Sequence, residues 1–167
     1  MSVPRFDALL SLGSNVDPER HVPRVLAWLR HRFDVVAVSP VYRSPAVGGA
    51  PGQPEFLNLA VRVRTDLPPR ALREVTRRAE DVCGRRRVAD RYAPRTMDVD
   101  LVLHDAGVLT LGDWRLPDPQ LTTEAFVLVP CADVAPDAVE PVSGLTLAEL
   151  RRELPAAKLA SLERVSV

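Results

Sequence analysis

The sequence has 167 residues, 46% of them hydrophobic, a length and composition typical of one folded domain with a sizeable core. Its 22 basic and 22 acidic residues give a formal net charge of zero, which argues against the broad basic surface of proteins that bind nucleic acids or anionic membranes. No apolar run approaches the ~20 residues of a membrane span, and Cys83 and Cys131 match no metal-binding spacing. We therefore predict a single domain over residues 1–167, located in the cytoplasm, where both cysteines stay reduced.

The periodicity of apolar residues predicts six elements up to residue 103, separated by proline and glycine. They are a strand over 6–12, a helix opened by Asp17-Pro18, a strand over 35–42, a strand over 56–65, a helix ending at Gly84 and a strand beginning at Met97. Pro23 is expected in the first turn of the first helix, or before a helix that starts later. Further along we predict a hairpin partner over 108–111, a helix or strand over 124–131 and a terminal helix over 145–154.

The order strand, helix, strand, strand, helix, strand is that of the ferredoxin-like, or split βαβ, arrangement. The predicted fold class is therefore α+β, an antiparallel sheet with helices on one face and additional C-terminal elements. RNA-recognition domains share this architecture, but their sheets carry stacked aromatic residues in a basic setting. Here the third strand offers only Phe56 and the fourth offers two acids, so the fold does not by itself assign a function.

An arginine-rich loop that starts at Gly84 leads directly into the strand with two acids. Because side chains alternate along a strand, Asp98 and Asp100 share one face. The apolar residues of the same strand share the opposite face: Met97, Val99, Leu101 and Leu103. Two carboxylates ~7 Å apart suit hard cations such as magnesium, and a polyphosphate that accompanies the metal would also use the nearby arginines. Alternatively, the acids are the solvated face of an edge strand and the arginines form an ordinary polar loop.

Three further features have both a functional and a structural interpretation. Phe56 and Asn58 share one face of the third strand, where a ring beside an amide suits a flat heterocycle or is simply part of an exposed sheet surface. The loop over 45–54 contains three glycines and is either a lid or a tolerated surface loop. Glu80 lies one turn before the arginine-rich loop and either pairs with a loop arginine or belongs to the site.

Six segments in combination carry a family resemblance: LGSN (12–15), VYRSP (41–45), QPEFLN (53–58), Glu80 with Gly84-Arg85, PRTMDVD (94–100) and FVLVP (126–130). From about Leu9 to Pro136 the chain resembles the 6-hydroxymethyl-7,8-dihydropterin pyrophosphokinases of folate biosynthesis. The resemblance implies an enzyme that passes the terminal pyrophosphate of ATP to the hydroxymethyl oxygen of the pterin and releases AMP. It also implies two small-molecule partners, ATP and the reduced pterin, and we expect a monomer without nucleic-acid or membrane partners.

The resemblance also implies roles for individual residues. The catalytic residues would be Arg85, Arg95, Asp98 and Asp100, and the two aspartates would hold two Mg²⁺ ions that bridge ATP and the pterin hydroxyl. The pterin pocket would be formed by Ser44, Pro45, Val47, Phe56, Asn58 and Phe126. The residues expected to bind ATP are Glu80, Arg85, Arg87, Tyr92, Arg95 and Arg115. Phosphoryl-type transfer depends on positioning and charge neutralisation more than on a strong base, which agrees with two acids beside an arginine loop.

Two positions depart from the family pattern. Asp118 and Glu124 stand where the family usually has a histidine and an arginine that help to hold ATP. We therefore expect both acids near the phosphates and weak ATP binding, with Arg77 or Arg115 as candidates for replacement charge. Three interpretations follow: an active pyrophosphokinase with altered nucleotide handling, which we favour; a non-catalytic relative that binds pterin or nucleotide; or a transferase that uses another donor or another hydroxymethyl heterocycle.

Overall fold

A computed structural model describes residue 3 and residues 5–167. Along these residues the chain forms its strands and helices in the order β1 (Phe6–Ser14), α1 (Pro18–Arg32), β2 (Asp34–Val38), β3 (Val41–Ser44), β4 (Phe56–Thr65), α2 (Pro69–Val82), β5 (Asp98–His104), β6 (Leu109–Leu111), β7 (Trp114–Leu116), α3 (Gln120–Thr123), α4 (Ala125–Val134), α5 (Leu147–Glu153), α6 (Ala156–Ala160) and β8 (Glu163–Val165).

The main sheet has six antiparallel strands in the order β5-β1-β4-β3-β8, and β2 pairs with β4 along the same edge as β3. Counted as one interrupted strand, β2 and β3 are the second strand of the split βαβ unit. The four strands of that unit then lie in the spatial order fourth, first, third, second, with α1 and α2 as the crossovers. This arrangement confirms the predicted ferredoxin-like class.

Apolar layers cover both faces of this sheet. α1 and α2 pack on one face in a cluster that includes Leu10, Leu59 and Val99. α4 and α5 pack on the opposite face in a cluster that includes Leu9 and Ala60. α4 buries eight of its ten residues because it contacts both the sheet and α5. The additional C-terminal elements therefore form a third layer.

The strand predicted over 35–42 is interrupted at Ser39-Pro40. Pro40 has no N–H group to donate to a ladder. Ser39 holds both backbone groups of Ala60 instead: its N–H donates to the Ala60 carbonyl at 2.9 Å, and its hydroxyl accepts the Ala60 N–H at 2.8 Å. The chain thus bends and resumes as β3 on the same neighbour, β4.

Leu103 faces the opposite layer from the one predicted. A register shift between β1 and β5 places Leu9 opposite Leu103 and Leu10 opposite Leu101. Leu101 stays in the layer of α1 and α2, whereas Leu103 packs in the layer of α4 and α5. The extra residue of a bulge changes which side of a strand later side chains occupy, so the alternation predicted from Met97 ends there.

The first helix begins at Pro18, directly after Asp17, and contains Pro23 in its interior. The prediction that Pro23 lies in the first turn or before the helix is therefore wrong. The helix continues through the proline because Val25 and Leu29, on its far side, are fully buried against the sheet. Packing of this apolar face outweighs the loss of one helical hydrogen bond.

The C-terminal part differs from the prediction in its pairing. The segment over 124–131 is helical and belongs to α4. β6 pairs with β7 in a separate two-stranded sheet, so the hairpin predicted for 108–111 forms with the residues that follow it and not with β5. After Pro155, α6 and β8 return the chain to the main sheet, where β8 pairs with β3.

No helix among the described residues is long and apolar enough to cross a bilayer. Cys83 and Cys131 are free thiols, each buried in a different layer of the core.

Candidate active site

The face of the sheet that carries α4 becomes polar near the first turn of that helix, and a cavity of about 290 Å³ opens there. Ser11 and Gly13 continue the face of Leu9 along β1, and Asn58 continues the face of Ala60 along β4. The walls come from three sources: the glycine loop (residues 45–55), the arginine loop (residues 84–97) and the starts of α3 and α4. The cavity therefore lies where the third layer ends.

Asp98 and Asp100 both line this cavity from β5. They pair with Gly13 and Ser11 of β1, respectively. The structure thus brings the two acids to one face, as the alternation predicts. Among the described residues, no group of three or more histidine, cysteine, aspartate or glutamate side chains is arranged to hold a metal ion. Two carboxylates fit a magnesium ion that takes its other ligands from substrate phosphate and water.

Asp98 accepts two guanidinium groups from the arginine loop. Arg85 Nη2 lies 3.3 Å from Asp98 Oδ1, and Arg95 Nη1 lies 2.5 Å from Asp98 Oδ2. The three side chains are between 13% and 21% exposed, so bulk water screens their charges only partly. Arg95 also lies over the Phe56 ring, with 5.7 Å between its guanidinium carbon and the ring centroid.

Asp100 lies in the most acidic part of the cavity. Asp100 is exposed to the cavity, and the surrounding protein, which displaces part of its hydration, is the main cause that raises its pKa to about 7. Asp98, Asp118 and Glu80 raise this pKa further, and Arg95 opposes them. A carboxylate whose charge is this unfavourable gains strongly from a bound cation.

Asn15 fixes the arginine loop to the end of β1. The Arg95 N–H donates to Asn15 Oδ1 at 2.8 Å, and the Arg95 carbonyl accepts the backbone N–H groups of Asn15 and Val16 at 3.1 and 3.2 Å. The Asn15 amide also donates to the Pro54 carbonyl at 3.2 Å and to Gln53 Oε1 at 3.4 Å. One side chain thus joins both loops to the strand that forms the floor of the cavity.

The two loops also contact each other at the mouth of the cavity. Gln53 Nε2 donates to the Tyr92 carbonyl at 2.6 Å. Gly48 has φ of +74°, and a Cβ atom there would lie 2.7 Å from the Tyr92 ring. Tyr92 lines the cavity, as does Val47, which is 68% exposed. The glycine loop therefore borders the site and is not a separate surface loop.

Glu80 is buried beneath the site and does not line the cavity. Its Oε1 accepts the Val99 N–H at 3.0 Å, and its Oε2 accepts a 2.5 Å hydrogen bond from Arg87 Nη2. Burial raises the pKa of Glu80, whereas the hydrogen bond from Val99 and the charge of Arg87 lower it. Glu80 therefore joins α2 to β5 and pairs with a loop arginine, one of the two roles considered for it.

The residues expected to bind the pterin all line the cavity: Ser44, Pro45, Val47, Phe56, Asn58 and Phe126. Asn58 Nδ2 donates to Ser44 Oγ at 2.8 Å and to the Tyr42 carbonyl at 3.3 Å. Because both amide N–H groups have protein acceptors, the Asn58 amide oxygen is the group left to meet a ligand. An acceptor beside aromatic rings suits a flat heterocycle with N–H groups on its edge.

The two unusual acids occupy different places. The Asp118 N–H donates to the Val102 carbonyl at 2.9 Å, and Asp118 Oδ1 accepts the Gln120 N–H at 2.9 Å, so Asp118 holds the start of α3 against β5 outside the cavity lining. Glu124 does line the cavity. Arg115, on β7, and Arg77, on α2, are exposed and lie outside the lining.

Several residues that line the cavity were not among the predicted site residues: Ser11, Gln53, Arg91, Gln120 and Val127. Strand alternation from Leu9 would have placed Ser11 on the polar face. Arg91 lies in the arginine loop, but nothing in the sequence distinguishes it from the arginines beside it. Gln120 carries no sequence signal, because its position depends on how Asp118 starts α3.

The sequence matches the family described as 7,8-dihydro-6-hydroxymethylpterin-pyrophosphokinase (HPPK) over residues 9–136. The chain belongs to the HPPK family. The match confirms the resemblance and covers the split βαβ unit from Leu9 of β1 onward, together with α4. It also covers every residue predicted for the site.

Several proteins that are named as pyrophosphokinases of this family align with most of this chain. The 2-amino-4-hydroxy-6-hydroxymethyldihydropteridine pyrophosphokinase of Synechocystis sp. is 36% identical over 146 residues, which cover 86% of this chain and 73% of the relative. The protein of that name from Pseudomonas aeruginosa is 36% identical over 87% of this chain and 90% of the relative. The one from Methylorubrum extorquens is 36% identical over 93% of this chain and 98% of the relative.

Solved structures support the fold. A triple mutant of Plasmodium falciparum HPPK-DHPS with pteroate superposes with a TM-score of 0.73 at 12% identity, over 98% of this chain and 47% of that chain. The same protein with wild-type sequence and the ligand SDX-DHP gives a TM-score of 0.71. This chain spans about half the length of those structures. At this identity they show that the fold is shared.

Proposed function

We propose that this chain transfers the terminal pyrophosphate of ATP to the hydroxymethyl oxygen of 6-hydroxymethyl-7,8-dihydropterin and releases AMP. The observation that carries the proposal is a single cavity in which Asp98, Asp100 and Arg95 lie together with Phe56 and Asn58. Charged groups suited to a metal-bound polyphosphate thus share one space with groups suited to a flat heterocycle. Membership of the HPPK family supports the same reaction.

The acceptor would bind in the part of the cavity formed by β3, β4 and the first turn of α4. Phe56 and Phe126 supply aromatic surface for stacking on the pterin ring. The Asn58 amide oxygen accepts an N–H of the ring edge, because Ser44 and Tyr42 occupy its two N–H groups. These contacts would leave the hydroxymethyl group directed at the acidic part of the cavity.

The donor would bind beside the arginine loop. We propose that Asp98 and Asp100 hold two Mg²⁺ ions, which supply positive charge to the transferring pyrophosphoryl group. Arg95 and Arg85 orient phosphate oxygens through their N–H groups. Arg85 and Arg87 lie outside the cavity lining in the structure, so Arg85 would reach phosphate by exchanging its contact with Asp98.

In the proposed reaction the hydroxymethyl oxygen forms a bond to the β-phosphorus of ATP. The bond between that phosphorus and the oxygen that bridges it to the α-phosphorus breaks, and AMP leaves with the bridging oxygen. The hydroxyl proton passes to solvent. The chain's own contribution is alignment of the two substrates and compensation of the phosphate charge.

The reaction is tested by following AMP release from MgATP in the presence and absence of the reduced hydroxymethylpterin. We expect AMP in an amount equal to the diphosphorylated pterin, and only when the pterin is present. Release of ADP would indicate transfer of a single phosphate, and no nucleotide product with both substrates present would contradict the proposal.

We also propose that the protein acts in the cytoplasm as a monomer. Free thiols at Cys83 and Cys131, each buried in a different layer, agree with a reducing compartment. Light scattering after size-exclusion chromatography would determine the oligomeric state, and a mass near twice 18.4 kDa would contradict the monomer.

A further inference from the structure

Lys158 is the only lysine of the chain, and it reaches the edge of the cavity from α6. Its ammonium nitrogen lies 3.4 Å from Glu124 Oε1 and donates a hydrogen bond to the Thr123 carbonyl. The Lys158 and Glu124 side chains are 41% and 32% exposed, respectively. The lysine thus contacts the junction between α3 and α4. Glu124, its partner there, is the carboxylate that this junction contributes to the cavity lining.

Glu124 is the third carboxylate of the cavity lining, besides Asp98 and Asp100. Arg85 and Arg95 both pair with Asp98. Among the described residues, Lys158 is the only cation that pairs with Glu124. Without Lys158, the wall formed by α3 and α4 would present an uncompensated negative charge to any polyanion in the cavity.

The position of Lys158 is set by the packing of the C-terminal segment. The Lys158 N–H donates to the Pro155 carbonyl at 3.0 Å, which starts α6 directly after α5. Leu159 and Leu162 pack against the apolar layer of α4 and α5. β8 then pairs with β3 and fixes the end of the segment. The lysine is therefore held over the α3–α4 junction from both sides of its own helix.

We propose that Lys158 is a positioning residue for the nucleotide, which acts by neutralising Glu124 so that the cavity accepts the polyphosphate of MgATP. The inference rests on the proposed function, because it assigns the polyanion to ATP. Lys158 does not line the cavity, so its effect passes through the Glu124 carboxylate and not through contact with the phosphates.

The test compares four variants: Lys158→Gln, Lys158→Arg, Glu124→Gln and the double variant. Binding of Mg²⁺-α,β-methylene-ATP, which cannot release AMP, is measured by calorimetry at low and high salt, and binding of the pterin is measured in parallel. Arg151→Gln is the matched control. Arg151 is another C-terminal cation, and its Nη1 lies 2.9 Å from Oδ1 of Asp133, a carboxylate of α4. Neither residue lines the cavity. Thermal unfolding of each variant shows whether the fold is retained.

We expect Lys158→Gln to weaken binding of the ATP analogue about fivefold at low salt, as for loss of a part-exposed ion pair, and less at high salt. Pterin binding should stay within about twofold, as expected for a charge effect confined to the polyphosphate. Lys158→Arg should bind like the wild type. In the Glu124→Gln background the same substitution at Lys158 should have no effect, because the charge that it compensates is gone.

An equal loss of analogue binding in both backgrounds would overturn the proposal, since it would mean that Lys158 contacts the nucleotide or supports the fold. Unchanged analogue binding in Lys158→Gln would also overturn it, as would an equal loss in Arg151→Gln. AMP release by the wild-type protein is measured in the same series. Its absence would contradict the proposed function, whereas the salt-dependent coupling of Lys158 and Glu124 would still be decided by the binding data.

Discussion

Asp98 is the residue on which the charged half of the site converges. It accepts Arg85 and Arg95 and lies on the same face of β5 as Asp100. Its two arginines neutralise it in the structure described, and a metal ion would compete with them for its oxygens. Binding of MgATP would then exchange these ion pairs for metal coordination at Asp98 and phosphate contacts at the arginines.

We predict that Asp98→Asn lowers the rate of pyrophosphoryl transfer at least about 100-fold, a loss of ~2.7 kcal/mol of transition-state stabilisation. An amide is a much weaker ligand for Mg²⁺ than a carboxylate and carries no charge. Pterin affinity should stay within about twofold, because Phe56 and Asn58 are untouched. Steady-state rates of AMP release and calorimetric titration of the pterin measure the two effects.

Asp7→Asn is the control for loss of a carboxylate from the sheet. Asp7 lies at the start of β1, away from the cavity lining, and pairs with Arg62 at 2.9 Å. Its substitution should leave the rate within about twofold, as for an exposed ion pair. If Asp98→Asn retained a tenth or more of the activity, the assignment of Asp98 as a metal ligand would be wrong.

For individual residues, the sequence predicted which acids and pocket residues line the cavity better than it predicted which charged side chains pair with each other. Asp98 and Asp100 follow from the two-residue period of a strand, which is a local property. Asp118 and Glu124 were both expected near the phosphates; Glu124 lines the cavity, whereas Asp118 starts α3 just outside the lining, where its charge still acts on Asp100. The pairing of Glu124 with Lys158 spans 34 residues and depends on the packing of a tail whose order was not predicted.

The glycine loop and the arginine loop act together as one border of the cavity. Asn15 donates to the first and accepts from the second, and Gln53 connects them directly. Gly48 lies where the Tyr92 ring leaves no room for a side chain. Movement of either loop would therefore displace the other, which is a property suited to an active site that must open for two substrates.

We predict that Gly48→Ala weakens pterin binding about tenfold, because its Cβ would lie 2.7 Å from the Tyr92 ring and push the loops apart. Gly52→Ala is the matched control. Gly52 has nearly the same φ, +79° against +74°, but a Cβ there meets no atom within 4 Å. It should suffer the backbone strain of ~1 kcal/mol without the clash.

Pterin dissociation constants of the two variants, measured side by side, separate these effects. Similar losses in Gly48→Ala and Gly52→Ala would mean that backbone strain, and not contact with Tyr92, controls the loop. A further comparison uses a Tyr92→Ala background, in which Gly48→Ala should lose its additional effect because the ring is absent.

The sequence predicted the strands and helices whose apolar residues follow a regular period. It missed the irregularities that depend on hydrogen bonds or register with a neighbouring strand. β4 agrees with the predicted strand over 56–65 because its apolar residues alternate without interruption. The break at Ser39-Pro40 depends on hydrogen bonds to Ala60, and the reversal of Leu103 depends on register with β1. α4 was ambiguous between helix and strand because it is buried on nearly all sides and so has no polar face to reveal its period.

In the whole molecule, one network of polar side chains joins the sheet to both helices of the third layer. The Tyr42 hydroxyl of β3 donates to Asp133 Oδ2 of α4 at 2.5 Å, and Arg151 of α5 donates to Asp133 Oδ1 at 2.9 Å. The Tyr42 carbonyl also accepts from Asn58 in the cavity. Tyr42 thus contacts both the C-terminal layer, through its hydroxyl, and the proposed pterin pocket, through its carbonyl.

The phenol of Tyr42 should make folding stability depend on alkaline pH. Burial, followed by the hydrogen bond to Asp133, raises the pKa of Tyr42 to about 12. The unfolded chain has a tyrosine pKa of ~10, so the native state binds this proton more tightly. The stabilisation is therefore complete below pH ~10 and is lost as the pH rises through 12, by ~2.7 kcal/mol at most for a difference of two pKa units.

We predict that Tyr42→Phe unfolds at lower urea concentration than the wild type at pH 8, because it loses the hydrogen bond to Asp133, worth ~1–2 kcal/mol. The difference in free energy of unfolding should shrink as the pH rises from 9.5 to 11.5, since the wild type loses its advantage when the phenol ionises. Tyr92→Phe, at the only other tyrosine, is the control and should follow the wild type throughout, because the Tyr92 ring is 39% exposed at the cavity mouth. A gap between Tyr42→Phe and wild type that stays constant over this range would show that ionisation of Tyr42 is not what links the third layer to the sheet at high pH.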